Sequence, residues 1–551
     1  MPRNTVQPNG WAALKLPNET VRVLQVTPNT TISLGKYGSF PSNLIIERPF
    51  HLTYEVQDRA PGENFSRLRI VSGSELNAHL LLDDPGAADQ DDEDNDNVIK
   101  AAKGDQLALV DQSGVVVARS NREIIDDSAR QTLSTAEIEE LKRKGTAAGK
   151  ELVAKLILSH TAIDQKTAYS LAKYKLLKEK KFLRRFTPLP LDVALLGQWM
   201  LEDRDAAKVL DMRLEMLALV GCWADVHFGG LPVPGVTDPH GGRWLAVDDA
   251  SGLLVAAMAE RMGILYNEPA VPELDATNDS TMGRNSRKRP RADDLDPHYA
   301  LTNTITVIHS NSQPNLSLLR YFDYDPSDPS PAPPHHPLFT HLLPISWLQL
   351  VSPDDDSSYA DRPPDVSPEE LATWKTNRRG NYHRKRRRWA RTRHIVDSTR
   401  AGGFSGLAVA SSLDSISILR RVLPLLAGGS PIAMYSPCME PLAQLADCFS
   451  IARRAAWVSD PPAAVKDKTT AELECWQGTP EFPINPTLVV GASIQSSRAR
   501  RWQVLPGRTH PFMTGRGGAD GYIFTGWRAL PAQGPISARG KFQKKQRVDA
   551  I

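Results

Sequence analysis

The sequence predicts an α/β plus β architecture: a small N-terminal β-barrel, a helical connector, then a doubly wound α/β domain broken by long insertions. Three observations carry this. Short alternating stretches separated by Gly, Pro and Asn fill residues 9–82 and 105–120, as in Val21-Arg22-Val23-Leu24-Gln25-Val26. The apolar run Arg243 to Asp248 is followed by Gly252 and the apolar stretch Leu253 to Arg261, which reads as strand, turn, helix. The 42 prolines among 551 residues concentrate in stretches also rich in Ser and Asp, which divide the folded parts.

In order, residues 1–125 form the barrel domain, with an acidic loop at 83–104 that contains DDEDND. Residues 126–187 are a basic helical connector. Ser134 and Glu137 have capping-box spacing, and Gly145 is a C-terminal stop. Gln165 to Phe186 is expected as a helix, with Tyr169, Ala172, Leu176 and Leu183 on one side and Pro188 and Pro190 ending it. Residues 188–263 open the α/β domain, with an amphipathic helix expected over Asp205 to Val220. Residues 264–400 read as a low-complexity insertion carrying basic runs, and 401–535 as the second part of the α/β domain. There Leu407–Ser411, Ile416–Leu426 and Pro431–Tyr435 repeat strand, helix, strand. Gln503–Leu505 and Tyr522–Thr525 are expected to close the sheet as an antiparallel hairpin, before a basic tail at 536–551.

Net charge is only +2, from 66 basic and 64 acidic residues, but it is unevenly placed. Residues 142–185 hold thirteen Lys or Arg against three acids, and 377–393 hold nine with no acid. Such faces suit a polyanion. Cys222, Cys438, Cys448 and Cys475 show no zinc spacing and read as buried thiols of a reducing compartment. There is no signal-peptide core and no run of 18 apolar residues, so a soluble, non-secreted protein without a membrane partner is expected. His309, His335, His336 and His341 lack ligand spacing, and His227 and His510 stand alone as structural histidines.

Three basic elements are candidate anion contacts. Gly35 and Gly38 bracket Lys36 and Tyr37, so a flat anionic partner can approach closely; the plain alternative is a turn with a solvated lysine. Lys173, Lys175, Lys178, Lys181, Arg184 and their neighbours crowd the expected helix without the acids that i,i+4 pairing needs. Arg498, Arg500, Arg501 and Arg508 flank Trp502, which reads either as core or as a stacking surface. The runs NYHRKRRRWARTR (Asn381 to Arg393) and Arg287 to Arg291 fit an import signal, an RNA-binding arm, or both.

A cofactor-binding turn after the first strand needs bare glycines, because backbone must approach the ligand there. This chain has Asp248-Asp249-Ala250-Ser251-Gly252, with one glycine and three side chains in the way. The glycines at 402, 403 and 406 precede a strand and do not supply that turn. No P-loop or nucleophile elbow is present.

TTISLGKYGSFPSNLIIERPFHLTY (Thr30 to Tyr54), NREIIDDSARQTLSTAEIEELKRKG (Asn121 to Gly145), RWLAVDDASGLLVAAMAERMG (Arg243 to Gly263), GLAVAS around Leu407, and QVLPGRTHPFMTGRGGADGYIFTG (Gln503 to Gly526) occur in this order. Together they resemble the non-catalytic subunit of the eukaryotic tRNA (adenine-58-N1) methyltransferase. The resemblance implies a degenerate Rossmann-like domain of the S-adenosylmethionine (SAM) methyltransferase type, with no catalytic, cofactor-binding or metal residues of its own. It implies a nuclear, tRNA-binding subunit acting on the T loop. SAM and the catalytic carboxylate would come from a catalytic partner subunit, in a heterotetramer of two copies each. Lys36, Tyr37 and the basic residues above would then be RNA contacts. Ser411-Ser412 stand where the catalytic relative has an Asp after its fourth strand. Two rival readings are an RNA methyltransferase with a non-standard SAM loop, and an RNA-binding, translation-factor-like module without a methyltransferase partner.

Overall fold

The computed structural model describes residues 4–59, 62–76, 109–110, 116–118, 134, 137–140, 153–159, 168–229, 241–266, 300, 302–326, 336–466, 468–505, 508–511 and 518–530. The acidic loop 83–104, the 287–291 run and the 536–551 tail lie outside these residues. The chain divides into two units, residues 2–192 with 500–515, and residues 193–499 with 516–551.

In the first unit, β1 (Trp11–Lys15), β2 (Val21–Gln25), β5 (Tyr54–Val56), β6 (Leu68–Ile70) and β9 (Arg185–Pro190) form an antiparallel sheet in the order β2-β1-β9-β5-β6. Strands β3 (Thr31–Ser33) and β4 (Ser39–Pro41) make a separate ladder, as do β7 (Leu109–Val110) and β8 (Val116–Ala118). The expected closed barrel is therefore corrected to an open sheet among the described residues. Alternation identified the strands, but closure depends on pairing partners that alternation does not specify.

Phe40 stacks on Phe186 at 4.5 Å, Tyr54 on Phe186 at 5.5 Å, and both tyrosines 37 and 54 are buried with them. Buried Glu55 accepts from Arg69 across the β5–β6 pair, and Glu75 accepts from Arg69 at 2.8 Å and Arg185 at 2.7 Å. A carboxylate this deep in a sheet needs such partners. The connecting helix is Ala168–Phe182. It is shorter than expected, and Pro188 and Pro190 lie inside β9. The Ser134–Glu137 capping box forms: Glu137 N–H donates to Ser134 Oγ at 3.2 Å and Ser134 N–H to Glu137 Oε2 at 2.8 Å.

The second unit is built on β10 (Arg243–Asp248), β11 (Thr304–His309), β12 (Leu342–Ser346), β13 (Gly406–Ala410), β14 (Pro431–Ser436), β15 (Val489–Gln495) and β18 (Tyr522–Arg528). Their order is β12-β11-β10-β13-β14-β18-β15, with β10 to β14 parallel and β18 antiparallel to both its neighbours. β10, β11 and β13 are buried almost throughout, as parallel strands covered on both faces must be. Trp244 is fully buried and donates Nε1–H to Ala224 O at 3.1 Å. Gly406 sits against it; a Cβ there would lie 2.6 Å from Ala224 O and 3.0 Å from the indole.

Four expectations change here. Residues 264–400 are not a plain insertion: β11, β12 and the 25-residue helix Thr376–Arg400 lie within them, and Ile308, Leu343, Ile345, Ile395 and Val396 join the main core. The strand that pairs with β18 is β15, while Gln503–Leu505 belongs to β16 (Trp502–Leu505), paired with β17 (Arg508–Pro511) in the first unit. The helix expected over Asp205–Val220 is interrupted, because Leu210 and Asp211 adopt positive φ; the helix proper is Leu214–Trp223. Only Cys448 is buried, on the inward side of the helix Glu440–Cys448, and the other three thiols are exposed. No described helix is long and apolar enough to cross a membrane.

Candidate cofactor turn and nucleic-acid interface

In open parallel sheets, ligands sit outside the carboxyl ends of the strands where the strand order reverses. That point here is the end of β10, between β11 and β13. Asp248 closes β10 and is buried. Its Oδ1 accepts from Ala250 N at 2.7 Å and its Oδ2 from Val255 N at 2.9 Å. An amide of the turn, Ala250 N–H, and one of the first turn of the helix Leu253–Arg261, Val255 N–H, are thus directed inward at a carboxylate of the chain itself. Burial pushes the Asp248 carboxyl up to about 6, against the opposing pull of the Val255, Ala250 and Gly252 amides.

The rest of the turn is closed by side chains and neighbouring backbone. Asp249 accepts from Ser411 Oγ and from Ser412 N at 3.3 Å, which ties the turn to the end of β13. Ser251 has φ +59° and donates its hydroxyl to Lys208 O at 3.0 Å. Leu318 N donates to Ser251 O at 3.1 Å. At Gly252, φ +91°, an added Cβ would come within 3.1 Å of Leu316 Cα. β11 ends in His309, whose Nδ1 lies 2.7 Å from Asn311 O, where a ribose-binding site would have an acid. The residues present do not fit SAM: backbone that should be bare carries side chains, and the segment from Asn315 to Leu318 packs on it.

A stability prediction follows from Asp248. Asn at this position keeps one acceptor and turns an NH2 toward either Ala250 N–H or Val255 N–H. Asp248→Asn is expected to destabilise the domain by ~1–3 kcal/mol. Because the folded carboxyl holds its proton up to about 6 against 3.8 in the free state, its stabilising contribution is complete below the lower value and is lost as pH rises through the upper one. Urea unfolding should therefore show a wider gap between wild type and variant at pH ~4 than at pH ~7. An equal gap at both would contradict the buried carboxyl.

The structure brings parts of the three basic elements to one place. Lys36 and Tyr37 lie in a tight turn, Gly35–Tyr37, and Tyr37 Oη donates to Lys180 O at 2.9 Å in the last turn of the lysine-rich helix. The same helix lies alongside β16. Lys36, Lys173, Lys181, Arg500 and Arg501 are exposed, and Lys175 and Lys178 are half-buried. Lys178 covers the Tyr174 ring at 4.7 Å and Lys181 approaches Phe182 at 5.4 Å. Arg508 stands opposite Leu505 in the hairpin.

Other assignments are corrected. Tyr37 is 2% exposed and is a core residue, closed to base stacking. Arg184 pairs with Asp58 at 2.8 Å, and Arg498 with Asp520 at 2.5 Å in the second unit. Arg498 is thus compensated by an acid brought in from 22 residues away. Trp502 is 59% exposed, so the stacking reading of this residue gains over the core one. The expected strand alternation places Val504 on the same face, 70% exposed.

A Rossmann-like sheet with an antiparallel late strand and a filled turn at its switch point, joined in one chain to a β unit that exposes Lys36, Lys173, Lys181, Arg500 and Arg501, define a class: a methyltransferase-type domain without a cofactor loop, carried with a second, β-rich module. The chain belongs to the Gcd10p family, whose model matches residues 5–375. It is 44% identical to the "tRNA (adenine(58)-N(1))-methyltransferase non-catalytic subunit trm6" of Aspergillus fumigatus, over 98% of this chain and 95% of that protein. A mouse protein of the same description is 23% identical over 88% of this chain and 85% of its own length. Among solved structures, the tRNA (m1A58) methyltransferase TrmI of Aquifex aeolicus aligns over 95% of this chain and 99% of that one, at 7% identity and a TM-score of 0.36. The fold assignment rests on the strand order.

Proposed function

We propose that this chain is the non-catalytic, tRNA-binding subunit of a tRNA (adenine-N1) methyltransferase complex that modifies the T loop. The observation that carries this reading is the turn Asp248–Gly252, closed by Asp249, Ser251 and the Asn315–Leu318 segment in a domain whose strand order is otherwise that of a nucleotide-binding sheet. Chemistry then has to come from a second polypeptide. That catalytic subunit supplies SAM binding and the catalytic carboxylate, and two copies of each subunit form the working heterotetramer in the nucleus. This chain contributes basic surface for RNA: Lys36, Lys173, Lys175, Lys178, Lys181, Arg500, Arg501 and Arg508 are the candidates in the first unit.

The test is expression with and without the catalytic subunit, with methyl transfer to tRNA and calorimetric titration of SAM on each preparation. Activity and a saturable heat are expected only when the catalytic subunit is present. A micromolar SAM heat with this chain alone, or methyl transfer by it, would establish an enzyme instead.

A further inference from the structure

We propose that the arginine-rich helix Thr376–Arg400 is a second RNA contact, an exposed cationic stripe that tracks the phosphate backbone. The inference rests on the tRNA-binding reading above but concerns a surface of the other unit.

The helix is arranged against its own local electrostatics. Its first turn holds no acid and contains Arg378 and Arg379, at the end where the helix dipole favours negative charge. Its single acid, Asp397, stands near the opposite end. Arg384 shares one face with Arg387 and Arg388 at i+3 and i+4, and each such like-charge pair costs ~0.2–0.5 kcal/mol in an isolated helix. Tertiary packing holds the element instead: Tyr382, Ile395, Val396 and Thr399 are buried, and Trp389 donates Nε1–H to Tyr359 O at 3.0 Å.

Internal partners divide the cations into two groups. Arg386 pairs with Asp365 at 2.9 Å, Arg391 donates to Phe339 O at 3.0 Å, and Arg393 lies 3.6 Å from Asp397. These serve the fold. Arg384, Lys385, Arg387 and Arg388 are exposed, and among the described residues no ion pair engages them; Arg387 donates Nε–H to His383 O of its own helix at 3.4 Å, a contact that leaves its charge uncompensated. They cover about one turn of a rigid scaffold, rising ~6 Å along the axis, with a further ~9 Å to Arg378. Fixed cations at that spacing, uncompensated and costly to the helix, are complementary to a phosphate backbone. An extended import signal is a poorer match, since the run is folded and anchored by Tyr382 and Trp389.

The experiment replaces Arg384, Lys385, Arg387 and Arg388 together by Ala, the best helix former, in the full-length chain assembled with its catalytic subunit. Gel filtration and thermal melting establish assembly and fold. tRNA binding is then measured from ~50 to ~200 mM salt. The expected result is a fall of about 2–4 in the slope of log affinity against log salt, and at least tenfold weaker binding near ~150 mM. The triple lysine variant (Arg384→Lys, Arg387→Lys, Arg388→Lys, with Lys385 retained) should keep the slope. An unchanged slope in the alanine variant overturns the proposal, and the same result with loss of nuclear accumulation reassigns the stripe to an import receptor. If the wild-type complex itself fails to bind tRNA, the functional reading fails and takes this inference with it.

Discussion

Reversing Lys36, Lys181 and Arg500 to Glu in the assembled complex lowers tRNA affinity by about tenfold or more and flattens its salt dependence by about 2–3 logarithmic slope units. The three side chains are exposed, and they lie on the turn Gly35–Tyr37, at the end of the helix Ala168–Phe182, and beside the hairpin that this helix accompanies. Each phosphate contact that is lost removes the release of a condensed counterion, so slope reports contacts more directly than affinity does. Neighbouring cations are unsuitable as tests, because Lys180 pairs with Glu19 at 2.6 Å and Arg184 with Asp58. Their reversal would disturb the sheet unit. Binding titrations at several salt concentrations, with gel filtration of the variant complex, give the answer. Unchanged slope and affinity would make these three ordinary surface charges.

Trp244→Ala is expected to unfold the second unit at physiological temperature or to cost ~3–5 kcal/mol where it survives. The indole is fully buried, its N–H satisfies Ala224 O, and it fills the space beside Gly406 and Gly242, where added Cβ atoms would lie 3.0 Å and 2.7 Å from it. Truncation leaves both a cavity and an unpaired carbonyl in a sheet covered on both faces. Thermal melting of the complex, with the Trp244→Phe variant in parallel, measures the effect. Phe restores much of the volume but not the hydrogen bond, so it should fall between the two. A melting point within a degree or two of wild type for Ala would contradict the packing described.

The α/β domain was legible where local pattern and tertiary environment agree. The run Arg243 to Asp248 is apolar because both faces of β10 are covered, and the run Leu253 to Ala259 is apolar because its helix is buried nearly all round. The filled turn between them was readable residue by residue, since bare backbone is a property of glycine alone. β12 escaped notice because it contains Pro344 and follows a Pro-rich stretch; the proline is tolerated because β12 is the edge of the sheet. The helix Thr376–Arg400 carried no apolar period to find, since a few separated residues hold it to the domain.

The sequence alone determined the family, the presence of a nucleotide-binding type of sheet, the loss of its glycine turn, and the uneven placing of positive charge. These are properties of composition and short-range order, where residue identity acts directly. Tertiary structure decided which cations remain available. It buried Tyr37 against a carbonyl 143 residues away, paired Arg498 with Asp520, and exposed Trp502. Among the described residues it also left the N-terminal strands as an open sheet, and it placed the basic run 377–393 on a fixed helix. Burial and ion pairing depend on distances between residues far apart in the chain, and no local pattern encodes those distances.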